Sequence, residues 1–253
     1  MIENASILDK SVGLPRENYK YYIGEMLPDD EKAGYLLAKY LISKSPVSSD
    51  GNIYLIAISG TFASSASFQR EKGLYRALSE HPNVKLNQLV RANWSKDLAK
   101  LKTKVLKIRY PNTTVVWTAS DGMAIGASLG IKQLNLESGK DVFIGGVDWS
   151  KDGVEAVKNG LIQVSAGGHF METAWALITT YDYLKGEDFI SSEGLNIKTD
   201  MSLITTDNID EYKVLFDKSK WKNIDFKKFS KIHNKKLKKY NFNIDSVLSQ
   251  LND

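Results

Sequence analysis

The chain has 253 residues, 42% of them hydrophobic and 25% charged, with a net charge of +4 and no cysteine. That balance belongs to an ordinary globular protein, and the missing cysteines exclude disulfides, thiolate nucleophiles and cysteine-held metals. No apolar run approaches the ~20 residues that cross a bilayer, so no membrane insertion is expected.

Residues 1–20, MIENASILDKSVGLPRENYK, read as an irregular N-terminal segment. They have neither a basic start nor a continuous apolar region, so the sequence as written shows no secretion signal. Beyond them, short β-branched or apolar runs alternate with helical patterns, as in a parallel sheet covered by helices. Strands are expected at 53–58, 84–90, 114–118, 142–147 and 162–166. Leu98, Leu101, Val105 and Ile108, and likewise Met123, Ala127, Ile131 and Leu134, each define one apolar helix face expected to pack inward. Ser95, Ser120 and Ser150 stand where a short oxygen side chain caps the helix that follows.

After residue 190 the pattern loosens. A strand is expected at 201–204, then lysine-rich helical stretches at 209–216, 226–237 and 244–251. From Lys213 to Lys239 eleven lysines face only Asp217 and Asp225, leaving the rest of the chain mildly acidic. This tail reads as solvated helices with apolar stripes, or as a surface for an acidic partner or membrane face.

Helix-capping positions in such a fold lie at the C-terminal ends of the strands, where open α/β sheets gather ligands. Gly60 follows the first strong strand in ISGTFASSASFQREKG, but neither GxGxxG nor GxxxxGK[ST] is present. A plain turn and one presenting Ser64, Ser65 or Arg70 to a ligand both fit. Arg70 could equally form an ordinary surface salt bridge. Asp148, after VFIGGV, could cap the next helix or accept hydroxyl hydrogen bonds. Trp94 and Trp149 flank two of these junctions, where an indole can cover the C–H face of a sugar ring or pack in the core. His169 in AGGHFMETAW, one of three histidines, makes a weak metal case beside a structural role. No HExxH, paired-carboxylate or serine-histidine-carboxylate motif appears, so neither an enzyme nor a cofactor is expected.

In order and spacing, the segments IGEMLPDDEKAGYLLAKYLI, ISGTFASSASFQREKGLYRAL, ANWSKDLAK, VVWTASDGMAIGA, IGGVDWSKDGVEAVKNG and GGHF resemble the type 1 periplasmic binding proteins. That family includes ribose and galactose binders and is related to the autoinducer-2 receptor and lactose-repressor effector domains. The resemblance implies an α/β fold with a Rossmann-like parallel sheet flanked by helices. Residues 21–186 would form mainly a complete second lobe. Residues 187–253 would return to a partial first lobe and end in the lysine-rich extension.

The family's strand-and-helix front part would be absent, an N-terminal truncation that would remove half of the ligand clamp and weaken binding. By resemblance Arg70 matches the ligand-clamping arginine of an R-x-x-G element, Trp94 an aromatic after the next strand, and Asp148 a carboxylate that accepts sugar hydroxyls. Ser120 stands in place of an asparagine, and Gly168 or His169 in place of a glutamine contact, so the sugar stays open. The implied role is a periplasmic, non-catalytic binder of a small sugar-like ligand delivering to an ABC permease. A sensory protein coupled to a membrane receptor kinase is an alternative. The effector domain of a lactose-repressor-type regulator is a third, although no helix-turn-helix is present and no nucleic-acid partner is expected.

Overall fold

The alternation of apolar and helical segments resolves, in a computed structural model describing residues 1–251, into 9 strands and 9 α-helices among the described residues. In chain order these are β1 (Ile2–Glu3), β2 (Glu25–Pro28), α1 (Asp30–Lys44), β3 (Ile53–Ser59), α2 (Ser65–Ser79), β4 (Val84–Arg91), α3 (Lys96–Arg109) and β5 (Val115–Thr118). There follow α4 (Asp121–Lys132), β6 (Phe143–Val147), α5 (Lys151–Lys158), β7 (Val164–Gly167), α6 (Glu172–Leu184) and α7 (Ile190–Glu193). The chain closes with β8 (Asn196–Thr199), β9 (Ser202–Thr205), α8 (Ile209–Tyr212) and α9 (Ile244–Leu251). The last two positions of the C-terminal segment, 252 and 253, lie outside the described residues. No helix among the described residues is long and apolar enough to cross a membrane.

The chain divides into two units. The larger, Asp30–Gly167 with Met201–Ile209, is a six-stranded sheet of order β4-β3-β5-β6-β7-β9. Its first five strands are parallel and β9 closes one edge antiparallel to β7. β3 and β5 are apolar on both faces, as buried parallel strands must be when helices cover both sides. In β6 the two faces are visible in successive residues. A Cβ on Gly145 would meet Leu37 of α1, and one on Gly146 would meet the backbone at Asp121, where α4 begins. The strand near 201, expected to return to the first lobe, is instead the edge strand of this sheet.

α4 buries Met123, Ala127 and Ile131 as its period requires. α3 corrects the matching expectation. Its Leu98, Leu101, Val105 and Ile108 face solvent, and the buried side is Ala99, Thr103 and Leu106. The reason is steric: the positions of α4 that meet α3 are Gly126 and Gly130, where an added Cβ would lie 2.1 Å from Lys96 O and 2.5 Å from Lys100 O. Backbones that close leave room between them for small side chains only.

The second unit, Met1–Asp29, Gly168–Asp200 and the chain from Asp210, holds the parallel sheet β1-β2-β8. The start expected to be irregular therefore contributes a short strand. The tail departs further from its expectation. Phe226–Phe229 forms one 3-10 turn and the helix expected to 237 stops there. Asp182 of α6, fully buried, explains the stop. It accepts from the Lys231 backbone N–H at 2.6 Å, from Ser230 Oγ at 2.5 Å and from the Tyr240 hydroxyl at 3.0 Å. Trp175, Phe242 and Tyr240 stack in series beside this carboxylate, with successive ring centroids 5.5 and 4.7 Å apart. The tail is thus pinned to α6 by a buried carboxylate, while ten of its eleven lysines remain exposed.

Candidate functional site

Four residues singled out in the sequence, Arg70, Trp94, Ser120 and Asp148, gather in the larger unit at the C-terminal edge of its parallel strands. Their placement begins with a helix crossing. α1 and α2 touch backbone to backbone: a Cβ on Gly34 would lie 2.0 Å from Arg70 O, and one on Gly73 would lie 2.0 Å from Glu31 O. The glycine three residues after Arg70 is therefore what lets α2 lie against the start of α1, where Asp30 stands. Arg70 Nε donates to Asp30 Oδ1 at 2.7 Å. Its Nη1 donates to Ala119 O, after β5, at 2.6 Å and to Asp148 Oδ1, after β6, at 3.2 Å.

Arg70 and Asp30 are both buried, so this is an internal ion pair rather than a surface bridge. Burial works against the charge on Arg70, but Asp30 and Asp148 outweigh it and raise its pKa. Burial also raises the pKa of Asp148, with the Arg70 charge pulling it back. About a third of the Asp148 side chain still reaches the surface, at 35% exposure. Arg70 therefore holds one carboxylate inside and a second at the rim. The next residue, Glu71, accepts from Ser59 Oγ and pairs with Arg91 at 2.9 Å, tying α2 to the ends of β3 and β4.

Backbone strain concentrates at the same edge. Asn93 and Trp94 have φ of 51° and 62°, Asp148 and Trp149 of 137° and 53°. Non-glycine residues avoid this region at a cost of order 1–3 kcal/mol each unless their surroundings fix them. Trp94 is half-buried over Gly60, where a Cβ would lie 2.2 Å from the indole, and its ring sits 5.8 Å from the Arg70 guanidinium carbon. An aromatic plane, a guanidinium and a carboxylate thus converge, the groups that together recognise a polyhydroxylated ring.

Ser120 is buried and accepts from Met123 N at 3.3 Å, so its hydroxyl caps α4. Trp149 is only 2% exposed; it lies over Gly167, and its Nε1 donates to Ser165 O at 2.9 Å. Ser150, N-cap of α5, accepts from Gly153 N. Ser64 precedes α2 without a side-chain cap bond. His169 belongs to the other unit, half-buried in the short turn His169–Met171.

Two site carboxylates escape sequence reasoning. Asp30 sits in PDDEKAG, whose acidic pair reads as a helix start, and only the α1–α2 crossing reveals its partner. Asp121 reads as a capping companion of Ser120, yet it is buried beneath the edge. It accepts from Ser150 N and Oγ at 2.9 and 3.0 Å and from Ser165 Oγ at 2.6 Å. Burial, with the charge of Asp148 adding to it, pushes its carboxyl up to about 7 against the three donors. No group of three or more histidine or acidic side chains arranged to hold a metal occurs among the described residues.

Comparison with known proteins gives this arrangement its family. A family model described as a periplasmic binding protein domain matches residues 9–188. A xylitol-binding protein of Mycolicibacterium smegmatis is 31% identical over 194 residues, covering 74% of this chain and 51% of that protein. A galactofuranose-binding protein of Escherichia coli is 26% identical over 157 residues, covering 61% and 48%. The crystal structure of a periplasmic sugar-binding protein from Pseudomonas fluorescens superposes with a TM-score of 0.84 at 33% identity, covering 98% of this chain and 73% of that one. The chain spans about half the length of the curated relatives it matches. With an α/β fold, a parallel sheet flanked by helices and matches of this extent, the chain belongs to the periplasmic binding protein domain family.

Proposed function

We propose that this chain binds a sugar or sugar-like polyol without transforming it, as part of a periplasmic solute-binding protein that delivers to an ABC importer. The observation that carries the reading is the Asp30–Arg70–Asp148 chain of charge, which ends in a partly exposed carboxylate and whose central guanidinium lies by the Trp94 ring. Asp148 accepts two hydroxyl hydrogen bonds, Arg70 orients it and neutralises its charge, and Trp94 covers a C–H face of the ring. Ser120 and Trp149 shape the edge, since the hydroxyl of one and the indole N–H of the other are engaged within the fold. His169, in the second unit, stays outside this set. The set is suited to recognition, because the carboxylate and the guanidinium hold each other in place for a ligand's hydroxyls.

Relatives that bind xylitol and galactofuranose direct the choice of ligands. Calorimetric titration with pentoses, hexoses in both ring sizes and pentitols is expected to show one saturable site. Asp148→Asn should weaken binding by about 10- to 100-fold, the loss of one or two charge-assisted hydrogen bonds. Equal affinity in that variant would remove Asp148 from the site, and no heat with any member of the panel would reject the sugar reading.

A further inference from the structure

α3 has two apolar sides, and only one is used within the chain. Ala99, Thr103 and Leu106 lie against α4. Leu98, Leu101, Val105 and Ile108 are exposed by 38%, 58%, 54% and 63%. Their spacing of three, four and three residues is the a/d seam of a heptad repeat, narrower than the face a helix turns to a core. A contiguous apolar stripe of this kind on a folded surface marks a contact.

The charges beside the seam select the occupant. Asp97 stands at the N-terminal end, and Lys104 and Arg109 toward the C-terminal end. The two other lysines of this half are already committed: Lys102 Nζ donates to Arg91 O, and Lys107 Nζ donates to Pro111 O and Thr113 O at 2.6 and 2.7 Å. An acidic foreign helix or an anionic bilayer would satisfy Lys104 and Arg109 but oppose Asp97. A parallel copy of the same helix would set Lys104 against Arg109.

An antiparallel copy, related by a two-fold axis near Thr103, sets Leu98 on Ile108 and Leu101 on Val105. It brings Asp97 of each helix, the acidic residue of its first turn, to the end of the other that carries Lys104 and Arg109, with the helix dipoles opposed. We propose that the exposed seam of α3 is a self-association surface that docks α3 of a second copy antiparallel. This surface is separate from the ligand site and independent of the sugar reading.

Sedimentation equilibrium of the full chain over a concentration series tests it. The chain is expected to form a concentration-dependent dimer. Leu101→Asp, at an exposed position, should raise the dimer Kd by at least roughly tenfold while leaving the circular-dichroism melt unchanged. Asp97→Lys, and separately the pair Lys104→Glu with Arg109→Glu, should each weaken the dimer, and mixing these two variants should restore it, because opposite charges then face at both ends. A chain monomeric up to about 100 µM, weaker than the range of specific association, would overturn the proposal. So would a dimer indifferent to Leu101→Asp, or a monomer whose seam binds phosphatidylglycerol vesicles or an acidic heptad peptide instead.

Discussion

Asp30 and Asp121 show how burial changes what a carboxylate does. Asp30 is the inner anchor of Arg70, and Asp30→Ala would leave a buried guanidinium with only the rim carboxylate and one carbonyl. Breaking a buried pair in this way costs about 3–5 kcal/mol, so urea unfolding of this variant should show a loss of that size. A loss under about 1 kcal/mol would mean the pair behaves as a surface bridge.

Asp121 carries a pH dependence with a defined sign. Its carboxyl is pushed up to about 7 from an ordinary 3.8, so between these values the folded chain holds a proton that the unfolded chain has released. Stability linked to this group therefore falls as pH rises from about 4 to about 7 and is flat outside that window. The carboxyl carbon of Asp121 is expected to titrate by NMR with a midpoint near 7; a midpoint below about 5, the range of ordinary carboxylates, would show that its three donors win. Neither residue is identifiable from its neighbours in sequence, because each acquires its role from a group at least 29 positions away.

At the scale of elements, the strands and their order of appearance were legible, because parallel strands buried on both faces are continuous apolar runs. Six expected strands fall within two residues of β3, β4, β5, β6, β7 and β9. The inward face of α3 was not legible. Its apolar period is real, but the buried side was decided by Gly126 and Gly130 on another helix.

The tail failed for a related reason: a single buried carboxylate on α6 takes the backbone N–H that a continuing helix would have used. Asp182→Ala should then release the segment around Ser230 and Lys231. Limited trypsin digestion should cut the lysine-rich stretch of that variant several-fold faster than the parent, since accessibility to cleavage follows local opening. Equal rates would show that the aromatic stack holds the tail without the carboxylate.

For the whole molecule, binding without chemistry has a direct thermodynamic signature. A sugar that binds the folded chain alone stabilises it by about 2.7 kcal/mol at a hundredfold excess over Kd. The melting temperature should rise with the logarithm of ligand concentration for the sugars that give calorimetric heat and for no others. A melting temperature indifferent to every sugar in the panel would contradict the binding reading.

Composition and apolar periodicity were enough to determine the fold class, because those signals are local and repeat along the chain. Partnership was decided by tertiary structure: Asp30 with Arg70, Asp182 with the tail, β9 with β7 and α3 with α4. Each depends on backbones meeting closely at positions far apart in sequence, and no local period encodes that approach.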